Sequence, residues 1–336
     1  MLIEAVGEAG LDRLESLWLI LHHHHQSVAP ELAPFVSDAV SWAARRELYE
    51  RALRGGGGIL IAREADQDVG YAVWAREPMP WPATFRAAPV VAELVTILVN
   101  PRVRGQGIGK QLLEAAFAAM TRAGLQDVII GVVPGNAAAI QLYRRLGFSP
   151  TWLSLGRFSR PQDRPAPSSP VATEPVLPDG IHSLKSLWLT LQRGRQRRAA
   201  TLGPFVGDDE SWGAIEPALM RMATDGLLLR TGPPADPTGV VGVAISQEGA
   251  VLADTWVTSR DIAEVALLAV TESADSADRE RIETGLLDVV DQRLSEIGVC
   301  DQMIGTIAAD HGAIERYRRR GFRPYWLQLT RFKSQA

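Results

Sequence analysis

The apolar positions change period along the chain. In residues 11–25 and 38–54 they recur at helical spacing and predict two amphipathic helices. Gly55 to Gly58 serve as a turn, after which "GILIARE" and "VGYAVWARE" alternate in the manner of strands. "AELVTILV" is apolar almost throughout and predicts a buried strand. A glycine-containing loop then leads into a helix over 107–123, ended by Gly124. "DVIIGVV" predicts a further strand, "NAAAIQLYRRL" a helix and "WLSLGRF" a last strand. Strands alternating with helices in this way define an α/β fold.

The same order then starts again. "LESLWLIL" (14–21) returns as "LKSLWLTL" (184–191), and "VAELVTILV" (91–99) as "IAEVALLAV" (262–270). "AIQLYRRLGFSPTWLSLGRF" (139–158) returns as "AIERYRRRGFRPYWLQLTRF" (313–332). Matches in one order across such a span indicate a duplicated domain, not a short-period solenoid. Residues 159–180 carry six prolines, which suit neither a helix nor a central strand. The sequence therefore predicts a first domain over 1–158, a Pro-rich linker over 159–180 and a second domain over 181–333, in a chain of 336 residues.

Composition narrows the chemistry. A hydrophobic share of 46% with 22% charged residues predicts a well-packed soluble protein. The net charge of −4 argues against nucleic acid as a partner. One cysteine, Cys300, leaves no disulfide framework within the chain and no multi-cysteine metal site, and fits a cytoplasmic location. The acidic start "MLIEAVGEAGLDRLESLW" reads as neither a signal peptide nor a membrane span, so no membrane partner is expected.

The loop "RVRGQGIGK" (102–110) follows a strand and opens a helix. Backbone N–H groups at a helix start lack intrahelical partners and carry partial positive charge. Glycines let an anion approach them closely. The loop is thus suited to a phosphate or pyrophosphate, with a plain tight turn as the alternative. Gly105, Gly107 and Gly109 do not fit the G-x-G-x-x-G spacing of dinucleotide folds. The Walker pattern fails as well, because Arg104 and Gln111 stand where it needs glycine and Ser or Thr.

This loop, with "PGNAAAIQLYRRLGF" (134–148) following it at the right distance, resembles the two signatures of the GCN5-related N-acetyltransferase (GNAT) superfamily. The resemblance implies two tandem GNAT-like domains, each a central mixed β-sheet flanked by helices. It also implies acetyl-CoA as donor and a small-molecule primary amine as acceptor, with direct transfer in a ternary complex. It assigns cofactor contacts to Ile97, Leu98 and Val99 on the strand edge, and to Arg104, Gly105, Gln106, Gly107, Ile108, Gly109 and Lys110 around the pyrophosphate. Val99 N–H is the implied oxyanion donor. Asn136 is implied to hold the cofactor arm, alongside a plain N-cap role. Tyr143 is implied as general acid beside the sulfur, or else an aromatic packing residue. Glu93 is implied as a base working through water, or else a solvated strand-end charge.

The acceptor side is thinner. "LHHHHQ" (21–26) puts His22 to His25 at the expected end of the first helix, where they cap its C-terminus or meet substrate. Only His22 and His25 share a face, and with no other ligand cluster apparent no metal site is expected. Trp18, Phe35, Trp42, Trp74 and Trp81 are either core or the wall of an apolar acceptor pocket.

The second half departs from the pattern at the loop. "RVRGQGIG" becomes "SADRERIE" (276–283), with Asp278 in place of Arg104. Asn136 becomes Asp310, while Glu264 and Tyr317 stand at the positions of Glu93 and Tyr143. Where the first half has its histidines the second has "QRGRQRR" (192–198), which reads as a solvated face. The second half is expected to be a degenerate GNAT-like domain that completes the acceptor cleft, supports the first half or makes a dimer contact, in a monomer or a homodimer. A non-catalytic acyl-CoA sensor or scaffold is the alternative function. Among enzymes, the tandem form also resembles the mycothiol synthases, whose working half is the C-terminal one.

Overall fold

The computed structural model describes residues 1–158, 171–246, 254–272 and 275–333. In the first half β1 (Leu2–Val6) leads through a 3-10 turn into α1 (Glu15–Val28), and α2 (Asp38–Arg54) follows. Then come β2 (Gly58–Glu64), β3 (Gln67–Pro78), β4 (Val90–Val99), α3 (Ile108–Arg122), β5 (Val128–Val132), α4 (Ala137–Arg145) and β6 (Ser149–Arg157). The second half repeats the order with β7 (Glu174–Pro175), α5 (Lys185–Arg198), α6 (Asp208–Thr224), β8 (Leu228–Thr231), β9 (Gly239–Ser246), β10 (Ile262–Val270), α7 (Ser276–Glu296), β11 (Asp301–Ile307), α8 (His311–Arg319) and β12 (Arg323–Arg331).

Several expectations need correction. Residues 159–170 of the expected linker lie outside the described residues. Its remainder is not all linker, because Glu174 and Pro175 pair with β8 and Val176 is buried. That short strand is the counterpart of β1, and both are too short to show a period in the sequence. The first helix continues three residues beyond His25, so the four histidines lie within it and do not cap its end.

The larger correction concerns the sheet. A central mixed sheet in each half was expected; among the described residues the two are joined into one mixed sheet of twelve strands, ordered β1-β2-β3-β4-β5-β12-β6-β11-β10-β9-β8-β7. Each half gives its last strand to the other. β12 pairs with β5 of the first half, and β6 with β11 of the second. At the centre β6 and β12 run antiparallel with Leu153 opposite Leu327, its own duplicate. The duplication thus reproduces an isologous contact inside one chain. Thr151 and Thr330 share a hydroxyl hydrogen bond of 2.8 Å across this pair. Arg157, at the end of β6, is anchored in the second half by Asp291 and Gln302.

Helices cover both faces. α1 and α2 pack Leu14, Trp18, Trp42 and Tyr49 on one face of β2–β4, while α3 and α4 pack Leu112, Leu113, Met120 and Tyr143 on the other. α5 with α6, and α7 with α8, repeat this arrangement. Further joints between the halves are also duplicated. Phe35 bridges Trp256, and Phe85 bridges Phe205. Val36 N–H donates to Thr255 C=O at 3.2 Å, and Val206 N–H to Thr84 C=O at 3.3 Å. Among the described residues, no helix is long and apolar enough to cross a membrane.

Candidate active site

The site begins with a divergence of strands. β4 pairs with β5 only through Ala92, Glu93 and Leu94. Beyond that the two strands separate. A bulge at Val95 shifts the register of β4 on β3 by one residue. Before the bulge Ala92 N–H donates to Asp127, across the β5 edge; after it Asn100 N–H donates to Val69, across the β3 edge. In the shifted register Thr96 and Leu98 turn their backbone groups toward β3, and Ile97 and Val99 present theirs to the opened gap. Leu98 is therefore the exception among the strand residues expected to meet cofactor. Its side chain lies in the α1–α2 core, and its carbonyl faces Gly70 of β3.

The loop continues from β4. Asn100 caps a short turn, its side chain accepting from Arg102 N–H at 3.0 Å. Gly105 and Gly107 have φ of +84° and +80°, a region costly for any residue with a Cβ. Gly107 is the N-cap of α3 and offers no side-chain cap, so the amides of Ile108, Gly109 and Lys110 open the helix without intrahelical partners. A Cβ at Gly105 would meet nothing within 4 Å, so its glycine serves backbone shape and leaves the approach open. Arg104 is exposed with no carboxylate partner among the described residues, whereas Lys110 lies 3.7 Å from Glu114. Loop, helix start and gap are contiguous along the end of β4.

At the inner end of the gap a cleft of about 50 Å³ is lined by Trp18, His25, Arg45, Ile97, Asn136 and Tyr143, among others. Asn136 caps α4 by accepting from Ala139 N–H at 3.2 Å and also lines the cleft. Tyr143 is 6% exposed and packs on Phe148. Its hydroxyl has no partner among the described residues, and burial pushes the phenol up to about 12. Glu93 precedes the cleft wall at Leu94. Burial, then the negative charge of Glu77, pushes its carboxyl up to about 7, with the Arg45 guanidinium opposing the shift.

Three further residues, Arg45, Asp254 and Trp326, were not singled out in the sequence. Arg45 is 5% exposed, lies 3.9 Å over the Trp18 ring and forms an ion pair with Asp254 of the second half. Ser41 fixes this joint by donating to the Asp254 carbonyl at 2.5 Å and accepting from Trp18 Nε1 at 2.9 Å. A chain of hydroxyls extends from Arg45 through Thr96 and Tyr49 to Tyr71. Trp326, from the exchanged strand β12, closes the cleft against Gly131; a Cβ there would lie 1.9 Å from the indole. The second half thus supplies both a charge and a wall to this cleft.

The other expected acceptor residues divide. Trp18 and His25 line the cleft, and burial, followed by the charge of Arg45, pushes His25 down to about 3, so it is neutral at ordinary pH. His22 is fully buried and bonded to Gln26 at 2.8 Å, outside the cleft wall. Phe35 packs with Trp256 at the joint between the halves, and Trp42 packs against Tyr49 in the core. Trp74 belongs to the α3 core, and Trp81 packs on Phe85 and Trp152. Arg45 had a signal in the sequence: it is the one charged residue on the buried stripe Ser41, Trp42, Arg45, Tyr49 and Ala52 of α2. Asp254 and Trp326 had none, since both depend on contacts between the halves.

Residues 20–148 match the Acetyltransferase (GNAT) family. A mycothiol acetyltransferase of Saccharomonospora viridis is 32% identical over 119 residues, covering 35% of this chain and 37% of that protein. An L-methionine sulfoximine/L-methionine sulfone acetyltransferase of Pseudomonas aeruginosa is 30% identical over 145 residues, covering 43% of this chain and 79% of that one. A GCN5-related N-acetyltransferase from Sphaerobacter thermophilus has the same fold across 98% of this chain and 95% of its own, with a TM-score of 0.59 at 15% identity. The matched region thus spans little more than a third of the mycothiol acetyltransferase. The chain belongs to the acetyltransferase (GNAT) family.

Proposed function

We propose that the chain transfers the acetyl group of acetyl-CoA directly to the primary amine of a small molecule, in the cleft of residues 1–158, with residues 181–333 as a supporting half. The observation that carries this reading is the convergence, in one half, of an open helix-start anion loop, a splayed strand edge and the unpartnered Tyr143 hydroxyl. The glycine loop receives the pyrophosphate, and the Ile97 and Val99 backbone receives the arm that carries the thioester. The amine nitrogen attacks the carbonyl carbon and passes its surplus proton through water to Glu93, whose elevated pKa suits a base near neutral pH. A strand N–H, that of Val99 in this reading, stabilises the oxyanion. The C–S bond then breaks and Tyr143 gives its proton to the departing thiolate.

The cleft also bears on the acceptor. Arg45 is already neutralised by Asp254, and His25 is neutral, so the wall around the acceptor is aromatic and close to uncharged. That supports a small amine carrying an apolar or hydrogen-bonding body. A binding-only role would leave the raised carboxyl of Glu93 and the open hydroxyl of Tyr143 without use. The test is thiol release from acetyl-CoA by the full chain against a panel of primary amines, with products identified by mass. N-acetylated product from at least one amine is expected. Acetyl-CoA binding without transfer to any of them would favour the sensor reading instead.

A further inference from the structure

The second half keeps a groove where the first has its cofactor track. β10 pairs with β11 only from Ile262 to Val265 and then diverges after its own bulge. The resulting cavity is about 580 Å³, within the range of small-molecule sites. Trp152 of β6 lies against Gly305, the counterpart of Trp326 against Gly131. Yet the outer, pyrophosphate end is closed. Asp275 caps α7 by accepting from Asp278 N–H at 2.8 Å, so the helix start is already occupied by the chain's own carboxylate. Asp278 and Glu280 stand in the same turn, paired with Arg281 and Arg319, where the first half has its open glycine loop.

The inner end has the opposite character. Five arginines line the cavity against three carboxylates, in a chain whose net charge is −4. Four of the arginines have partners: Arg197 with Glu272, Arg198 with Asp310, Arg316 with Glu283, and Arg279 with the Thr271 carbonyl. Arg195 has no hydrogen-bond or ion-pair partner among the described residues; its guanidinium lies 5.1 Å over the Trp152 ring. Burial pushes its pKa down to about 10, with Tyr317 and Asp310 opposing the shift.

The duplication shows what is missing. Arg195 stands at the position of His25, which is neutral. In the first half the buried cation is Arg45 and its counter-ion is Asp254. Their counterparts in the second half are Ile215 and Ala83, so both members of that pair are absent there. The second half has a cation in the same region that no carboxylate contacts; Asp310 acts on it only at a distance and is itself paired with Arg198. Leaving a half-buried guanidinium without an anion is costly unless a ligand provides one. A concave wall with net positive charge also raises the local concentration of anions.

We propose that this groove is a second binding site, for a small anionic metabolite whose carboxylate or phosphate is held by Arg195 over Trp152. The cofactor itself is excluded by the acidic cap of α7. The site is separate from the proposed transfer cleft, so its test needs no acetyl transfer, and failure would leave the transfer reading standing.

The experiment titrates the full chain with inorganic phosphate and, in parallel, with succinate, read by calorimetry and by Trp fluorescence. Saturable binding of at least one probe is expected, and the stronger probe identifies the anion class. Arg195→Gln should weaken it by about tenfold or more, the loss of a charge-assisted contact. Arg195→Lys should retain most of the binding, which separates loss of charge from loss of folding. Lys185→Gln, on the exposed face of α5, should bind as the parent chain does. Binding of neither probe, or binding unchanged in Arg195→Gln, would overturn the proposal. So would displacement of the probe by acetyl-CoA in a Gly107→Asp chain, which would make the groove a second cofactor site.

Discussion

The buried joint of the first half holds Arg45 against Asp254, and the same joint in the second half holds Ile215 and Ala83. Around these two places the chain folds alike. Trp18 donates to the Ser41 hydroxyl in one, and Trp188 to the Ser211 hydroxyl in the other, at 2.9 and 3.0 Å. His23 pairs with Asp38 as Arg193 pairs with Asp208. Scaffold contacts therefore survive duplication, while the charged groups facing the cleft have been exchanged. Charge distribution inside the clefts, not fold, is what separates the half proposed for transfer from the half proposed to hold an anion. The exchanged strands make this possible, since each cleft is built partly by the other half.

The largest effect that can test the comparison is on stability. Asp254→Ala should destabilise the protein by about 3–5 kcal/mol, because Arg45 would be left charged and buried. Adding Arg45→Ile copies the second half and should recover most of that loss. Denaturant unfolding of both variants gives the answer. If the double variant is no more stable than Asp254→Ala alone, the two joints are not equivalent.

Next in size is the chemical step. Tyr143→Phe should slow single-turnover transfer by on the order of 10²-fold with little change in acetyl-CoA affinity. Tyr317→Phe should leave it near normal, although the two rings are buried alike at 6% and 7% exposure. A larger loss for Tyr317→Phe would move the transfer site to the second half.

How much of this was legible beforehand follows from the range of each interaction. α2 shows in the sequence over its observed span, Asp38 to Arg54, because its period and the cap at Ser37 are local. The glycine loop before a helix was legible for the same reason; that Gly105 and Gly107, and not Gly109, take positive φ was not. The exchange of β6 and β12 was not, although "TWLSLGRF" and "YWLQLTRF" were plainly repeats: a strand's pattern records its faces and says nothing of which edge it joins. The role of Leu98 was misjudged because a bulge decides which backbone groups point into the gap, and a bulge leaves no mark in "AELVTILV". The run "QRGRQRR" is a solvated face at Arg193 and Arg197, as expected, but not at Arg195, whose neighbours come from other elements.

A smaller effect concerns pH. If Glu93 is the base, transfer should rise about tenfold per pH unit below its value of about 7 and level off above it. Glu93→Gln should remove that limb. Glu264→Gln should not, although burial raises the Glu264 carboxyl too. Stability supplies an independent check. A carboxyl raised by burial favours the folded state most below its ordinary value near 4.5, and that contribution is lost as pH rises through about 7. Glu93→Gln should therefore gain stability over the parent chain at pH 8, relative to pH 4. Melting curves showing no such crossover would mean that the native carboxyl is not raised.

The smallest effect separates a shared structural role from an unshared one. Asn136 and Asp310 cap α4 and α8 in the same way, accepting from Ala139 and Ala313 at 3.2 and 3.1 Å. Asn136→Ala and Asp310→Ala should each cost about 1 kcal/mol of stability, the usual value of an N-cap. The exposed contact of Asp310 with Arg198, at 3.4 Å, adds little to this. Their ligand effects should differ. Asn136 lines the cleft, and an amide has a donor to give the cofactor arm, so its loss should weaken acetyl-CoA binding severalfold beyond what destabilisation explains. A carboxylate in the second half has no donor to offer such a cofactor, and Asp310→Ala should leave acetyl-CoA affinity unchanged. Calorimetric titration of the two variants at matched folded fraction decides the point. Equal losses of affinity would mean that the two caps serve the cofactor only through the fold, and Asn136 would then have no direct part in holding it.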